Sequence, residues 1–303
     1  GVIPDQQLLD LAHSTGKYTL VRKLKDPKFS VDHLDRYGLL LLAGQRNFQF
    51  GVVDAEQQRC LLLEDYALPQ SPEELVGTYR SIIEEHQLLM AGYWKSVKLA
   101  VKSPYFTLVP QAYLSSENLA HYLTLAVDFP NEHYSVYAQK HEEAGATMVF
   151  GAHKELVDRI KSTYPSHSVP LIYQGSSFIE GIRQVSSAEH YPVMYLHVDG
   201  EYLTMVVIDD GKVVLFNGFA YRKPEDLVKY TLSAFQKLNL NQNETKVVVW
   251  GNIPAKSDEY LALYRYIRQL SLGKKPDFLT FSHVFDEAPD HQYLDLYSLH
   301  LIE

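Results

Sequence analysis

The sequence predicts an α/β protein assembled from two related halves. Three observations lead there: an ungapped internal match of Leu39–Asp54 to Met194–Asp209, the same order of segments after each copy, and a proline at the start of both following helices. Each matched stretch reads as an apolar strand, a short polar turn and a second apolar strand ending in aspartate.

The next elements keep step. Ala55 to Gln58 turns the first copy, and Asp210-Gly211-Lys212 turns the second with an Asp-Gly hairpin sequence. Third strands are expected over Cys60–Leu68 and Val213–Tyr221. Ser71-Pro72-Glu73-Glu74-Leu75-Val76 then faces Lys223-Pro224-Glu225-Asp226-Leu227-Val228. Proline at the first helical position wastes no amide hydrogen, and acids in the first turn complement the helix dipole. Leu75, Tyr79, Ile82 and Ile83, and then Leu227, Tyr230, Leu232 and Phe235, recur at helical spacing. Strands Val97–Val101 and Lys246–Trp250 follow, so the order β-β-β-α-β occurs twice.

Residues 104–190 lie between the copies. Ser115-Ser116-Glu117-Asn118 predicts a helix start, with Leu119, Tyr122, Leu123 and Leu125 on its apolar face. Thr147–Phe150 is a buried-strand run, and Gly151-Ala152-His153 is expected to turn it into a helix carrying Leu156, Val157 and Ile160. Pro170–Tyr173 precedes a helix with Phe178, Ile179 and Ile182. The second half closes with a helix over Tyr260–Ile267 and a last strand over Phe278–Phe281. The expected domains are 15–190, with 104–147 inserted, and 191–303.

Composition narrows the function. The chain has 303 residues, 46% hydrophobic and 21% charged, enough to bury a core without staples. A formal net charge of −9 argues against non-specific nucleic-acid binding, which needs Lys and Arg to displace counterions. Lys95, Lys98 and Lys102 are too few to reverse that. The single cysteine, Cys60, permits no disulfide within the chain and reads as a buried structural thiol. No apolar run reaches membrane-spanning length, and Gly1–Asp5 lacks the basic and apolar stretches of a signal peptide. A cytoplasmic location is expected.

Three antiparallel strands, a helix and a parallel strand follow the order of the ribonuclease H-like fold, and two copies in one chain resemble the actin-like ATPase superfamily. Met148–Ile182 followed by Val193–Val214 resembles the actin-like pilus-assembly proteins at their inter-lobe crossover. The whole chain is similar to the Bacteroidota domain-of-unknown-function family 3822, through Phe106-Thr107-Leu108-Val109-Pro110, Leu215-Phe216-Asn217-Gly218-Phe219 and Phe285-Asp286-Glu287-Ala288-Pro289-Asp290-His291. These resemblances imply two actin-like lobes with mixed sheets, and the family label supplies no activity.

In the actin-like superfamily a carboxylate ends the first strand of each half, and small residues in the next turn let backbone amides cradle phosphate. Here Leu42 stands at the carboxylate position of the first half. Gly44 keeps a small residue, and Gln45 replaces a hydroxyl residue. In the second half an ungapped alignment puts His197 at the carboxylate and Asp199 at a glycine. A shorter turn instead makes Asp199 the carboxylate, with Gly200 and Thr204 nearby; the sequence leaves both registers open. The adenosine-side motif usually has paired glycines, but Val249-Trp250-Gly251-Asn252-Ile253 keeps one. Glu201 adds negative charge where phosphate would sit.

The nucleotide-pocket candidates are therefore Gly44, Gln45, Asp199, Gly200, Thr204, Gly251 and Asn252, with no catalytic residue, metal ligand or cofactor assigned. The expected function is a non-catalytic binding or scaffold module with a protein partner and room for a homo-oligomer. The alternative is an active ATPase or kinase using ATP with magnesium.

Other chemistries find less support. Thirteen histidines are scattered without Cys/His ligand spacing, and Asp286, Glu287, Asp290 and His291 share a Pro289 loop that reads as solvated. Ser177 lacks the second glycine of a hydrolase elbow and reads as a helix cap. Ser14-Thr15-Gly16-Lys17 lacks the upstream glycine of a P-loop. Leu39–Leu42 offers no acids for a two-metal nuclease. Among 22 tyrosines, Tyr260, Tyr264 and Tyr266 with Arg265 and Arg268 form either an interaction face or an amphipathic helix with its hydroxyls in water.

Overall fold

A computed structural model describes residues 18–69, 71–115, 118–130, 132–186, 189–200 and 202–303. The Ser14–Lys17 motif, Ser116, Glu117 and Glu201 lie outside these residues. The sequence divides the chain after residue 190. In the structure one compact unit comprises residues 1–177, 279–287 and 299–303, and a second comprises 178–278 and 288–298.

The first unit contains a six-stranded sheet in the order β1-β4-β3-β2-β5-β9. Its strands are β1 (Thr19–Lys25), β2 (Tyr37–Ala43), β3 (Asn47–Asp54), β4 (Arg59–Ala67), β5 (Ser96–Val101) and β9 (Leu171–Tyr173). Strands β1 to β4 pair antiparallel, whereas β5 and β9 join β2 in parallel. Helix α1 (Leu75–Glu85) buries Leu75, Tyr79, Ile82 and Ile83, as its periodicity predicts, after a single 3-10 turn over Pro72–Glu74. A smaller sheet, β6-β8-β7, is built from β6 (Phe106–Pro110), β7 (Tyr134–His141) and β8 (Ala146–His153). Helix α2 (Leu119–Ala126) adds Leu123 to the apolar cluster of Val109, Phe129 and Val149.

The second unit has a five-stranded sheet in the order β12-β11-β10-β13-β14. It comprises β10 (Val193–Asp199), β11 (Tyr202–Asp209), β12 (Lys212–Ala220), β13 (Lys246–Gly251) and β14 (Gln269–Leu272). The first three pair antiparallel and the last two join β10 in parallel. Asp210 and Gly211 adopt φ of 49° and 78°, the left-handed pair that an Asp-Gly hairpin requires.

The two sheets repeat each other residue by residue. Leu39 pairs with Val52 in the first, and Met194 with Val207 in the second, which preserves the ungapped sequence match. Each third strand bulges at the same point, at Leu61 opposite the Val52–Val53 step and at Val214 opposite the Val207–Ile208 step. Both central strands are buried on both faces, so apolar residues run continuously instead of alternating. A common bulge position is hard to obtain from two unrelated hairpins, because a bulge is a local device fixed by backbone geometry.

Several expectations are corrected. Gly151, Ala152 and His153 continue β8, and the following helix is α3 (Lys154–Thr163). Gly151 is needed for packing: a Cβ there would lie 2.2 Å from the Phe129 ring. Ser177 is no cap, because α4 (Gln174–Val185) starts three residues earlier and Ser177 is fully buried. Phe278–Phe281 forms only a bridge from Thr280 to Arg59, and the last strand is β14. Leu125 is 74% exposed, outside the buried face of α2. Helix α5 (Pro224–Lys237) buries Leu227 and Phe235, while Tyr230 and Leu232 are half-buried against the same core. Helix α6 (Asp258–Tyr266) turns Ala262 and Leu263 inward and leaves Tyr264 and Tyr266 exposed. Cys60 is buried, and burial pushes its thiol pKa up, as expected of a structural cysteine.

A buried acid on β4 gives the first unit a pH dependence. Glu64 accepts from the Tyr66 hydroxyl at 2.5 Å and faces His86 Nε2 at 2.9 Å. Burial raises its pKa, but the His86 and Tyr66 interactions outweigh burial and hold it below 4.5. A depressed carboxyl pKa stabilises fully above the unfolded value and loses that stability as pH falls through the folded value. The urea midpoint should therefore drop as pH falls below about 4.5, and Glu64→Gln should flatten that limb; an unchanged slope would refute the assignment.

Candidate functional site

The turns after β2, β10 and β13 are where the sequence places its candidate residues, and each is closed by the chain's own groups. Between β2 and β3 only Gln45 and Arg46 remain to reverse the chain, because the Gly44 amide hydrogen-bonds Asn47 O at 3.0 Å. Gly44 N–H also donates to the Tyr79 hydroxyl at 2.9 Å, and that hydroxyl donates to Gly44 O at 2.7 Å. Helix α1 delivers Tyr79 to this point with no exposed surface. Burial pushes the Tyr79 pKa up, so the phenol keeps the proton it donates.

Side chains occupy the space above the turn. Lys102 Nζ donates to Asn47 Oδ1 at 2.9 Å, and Gln45 Nε2 donates to the Tyr134 hydroxyl at 2.7 Å. A Cβ on Gly44 would lie 3.1 Å from two Asn47 oxygens and 3.2 Å from Lys102 Cδ. A shallow pocket beside the turn has Leu75, Val101 and Leu156 on its apolar side and Gln45, Tyr134 and His153 among its polar residues. Its cavity volume is about 20 Å³, room for about one water. His153 caps α3 by accepting from Leu156 N–H at 3.3 Å, and burial lowers its pKa, which keeps the accepting nitrogen unprotonated.

The second unit places its candidates in the matching positions. Asp199 pairs with Tyr202 at the end of the β10–β11 ladder. On the shared register His197 corresponds to Leu42 and Asp199 to Gly44. Gly200 adopts φ 65°, and the Tyr221 hydroxyl donates to its carbonyl. Thr204 is buried on β11 directly opposite His197.

At the end of β13, Gly251 has φ 105°, and a Cβ there would approach Val198 O to 2.2 Å, so only glycine fits. Its N–H donates to His291 O at 2.8 Å, and Asn252 N–H donates to Val198 O at 2.9 Å. The Asn252 bond has an exact counterpart in the first unit, Lys102 N–H to Ala43 O at 2.9 Å. His291, expected in a solvated loop, is instead buried and donates from Nε2 to Ile253 O at 2.6 Å. Asp286, Glu287 and Asp290 are exposed. Among the described residues, no group of three or more His, Cys, Asp and Glu side chains is placed to hold a metal ion.

One polar pair escaped the sequence reading. His197 Nε2 lies 3.3 Å from Asp295 Oδ2, both almost fully buried, with the Phe178 ring edge-on to the imidazole at 5.0 Å. Asp295 belongs to α7 (Leu294–Ser298), nearly a hundred residues away in sequence, so no local spacing announces it. Removing one partner would leave the other buried and unmet, a loss of about 1–3 kcal/mol.

With this geometry in view, the comparisons are informative about fold. The family described as "Protein of unknown function (DUF3822)" matches residues 26–270. No protein of curated function matches the sequence. A Bacteroides thetaiotaomicron protein with actin-like ATPase fold and unknown function superposes with a TM-score of 0.77 at 17% identity, covering 91% of this chain and 99% of that one. The PilM-PilN type IV pilus biogenesis complex gives a TM-score of 0.56 at 12% identity over 87% of this chain and 97% of the other. Ethanolamine utilization protein EutJ from Carboxydothermus hydrogenoformans gives 0.50 at 9% identity over 98% and 97%. The chain has the actin-like ATPase fold. No described helix is long and apolar enough to cross a membrane.

Replacing Tyr79 with phenylalanine leaves the buried Gly44 carbonyl without its hydroxyl donor. Such a loss costs about 1–3 kcal/mol, so Tyr79→Phe should lower the unfolding free energy by that amount in urea titration. An unchanged stability would mean that the hydroxyl does not hold the turn.

Proposed function

The chain belongs to the family of proteins of unknown function DUF3822, and from that premise we propose that it is a non-catalytic binding or scaffold protein that keeps an actin-like fold after losing nucleotide hydrolysis. One observation carries the reading: the amides of Gly44, Gly251 and Asn252 already donate within the chain. A phosphate cradle works by aiming unsatisfied backbone N–H groups at the anion. Here those hydrogens would have to leave good partners before meeting a phosphate. The residues at the first-strand ends point the same way. Leu42 is apolar, and His197 is engaged with Asp295.

A protein partner is the occupant we favour. The pocket beside Gly44 sets Leu75, Val101 and Leu156 beside Gln45, Tyr134 and His153, a mixed lining that suits a protein side chain. A chain of similar fold is found in the PilM-PilN type IV pilus biogenesis complex, which supports protein recognition as a use of the scaffold. We place the protein in the cytoplasm, on its single buried cysteine.

Thermal unfolding with millimolar magnesium and ATP tests the reading. A specific ligand at 100 times its dissociation constant adds ~2.7 kcal/mol, a rise of several degrees. The expected result is no shift. A rise of that size would establish nucleotide binding and overturn the proposal, and its loss in Asp199→Ala would assign the site to the β10 turn.

A further inference from the structure

The outer edges of the two sheets differ although their strands correspond. In the first unit β1 adds antiparallel to the outer edge of β4, from Thr19 opposite Ala67 to Lys25 opposite Leu62. Under that cover seven of the nine β4 residues are buried. The shared bulge aligns Leu62–Ala67 with Leu215–Ala220 of β12. Among the described residues no strand lies beyond β12, and none of its nine residues is buried. The chain therefore contains its own example of what seats on this edge: an antiparallel strand that begins just past the bulge.

Proteins usually protect sheet edges with charge, proline or shortness. The strand β1 carries Arg22, Lys23 and Lys25, and β14 is only four residues long. After Lys212, β12 runs uncharged and without proline through Ala220. Val214, at the bulge, is 48% exposed.

We propose that a second copy of this chain occupies the β12 edge, pairing Leu215–Ala220 antiparallel with its own twofold mate. Antiparallel strands exchange hydrogen bonds in reciprocal pairs, so an edge is complementary to its own twofold copy. Two chains of net charge −9 repel, and this strand brings no carboxylate to the contact. A distinct protein partner would normally be selected by charge on the edge, and Leu215–Ala220 carries none. The Gly218 amide is held locally by Asn217 Oδ1 at 2.9 Å, a bond that a carbonyl of the incoming strand can replace.

Sedimentation equilibrium of the full chain tests this, with Gly218→Pro and Ala220→Lys as edge-blocking variants. Proline withdraws an edge N–H, and lysine on an exposed edge discourages pairing. The wild type should sediment at twice 34.7 kDa. Both variants should sediment as monomers, with circular dichroism and melting temperature matching monomeric wild type at high dilution. Ala220 is exposed, so the lysine variant keeps the test decisive if the proline variant fails to fold. A monomeric wild type, or a dimer that survives Ala220→Lys, overturns the proposal.

Discussion

In the first unit the Tyr79 hydroxyl reaches the turn between β2 and β3, accepts the Gly44 amide hydrogen and donates to the Gly44 carbonyl. Buried backbone groups need partners, and leaving one unmet costs about 1–3 kcal/mol. A fold that binds phosphate at this place leaves its turn amides for the ligand. Here a tyrosine supplied by the helix that follows the third strand closes the turn from below. The second unit uses other groups: the His291 carbonyl takes the Gly251 hydrogen, and Tyr221 reaches the Gly200 carbonyl.

The units share what backbone geometry dictates and differ where side chains are free to change. Strand order, ladder register, the bulge and the bond from the residue after the parallel strand are common to both. The position of Tyr79 on α1 corresponds, counting from the helix prolines, to Thr231 on α5. The Thr231 hydroxyl bonds its own helix at Leu227 O, 2.7 Å away. The register position of Leu42, a plain core residue, is taken in the second unit by His197 with its Asp295 partner. Duplication thus preserved the main-chain frame while polar satisfaction was solved separately in each copy.

The fold was legible because its signals are local. Proline and acids at the helix starts, the Asp-Gly turn and continuous apolar strands mark their elements within a few residues. Local sequence misleads where a distant partner decides. Gly151 looks like a turn residue, yet the Phe129 ring is what excludes a side chain there. Nothing near Leu20 or Val21 shows that β1 will add to β4. Gly44, Gln45, Gly200 and Asn252 fall in bends after strands, Asp199 and Gly251 end their strands and Thr204 lies within β11, while Tyr79, Asp295 and His291, which close or brace these places, come from 32 to 98 residues away. Which register the β10 turn adopts depends on the ladder to β11, and the pairing of Asp199 with Tyr202 resolves it in the structure.

Amide hydrogen exchange at single residues reads the internal commitment of these turns directly. The account predicts slow exchange at Gly44, Gly251 and Asn252 in the free protein, with rates unaltered by saturating magnesium and ATP. Rapid exchange in the free protein, with protection appearing only when nucleotide is added, would contradict it.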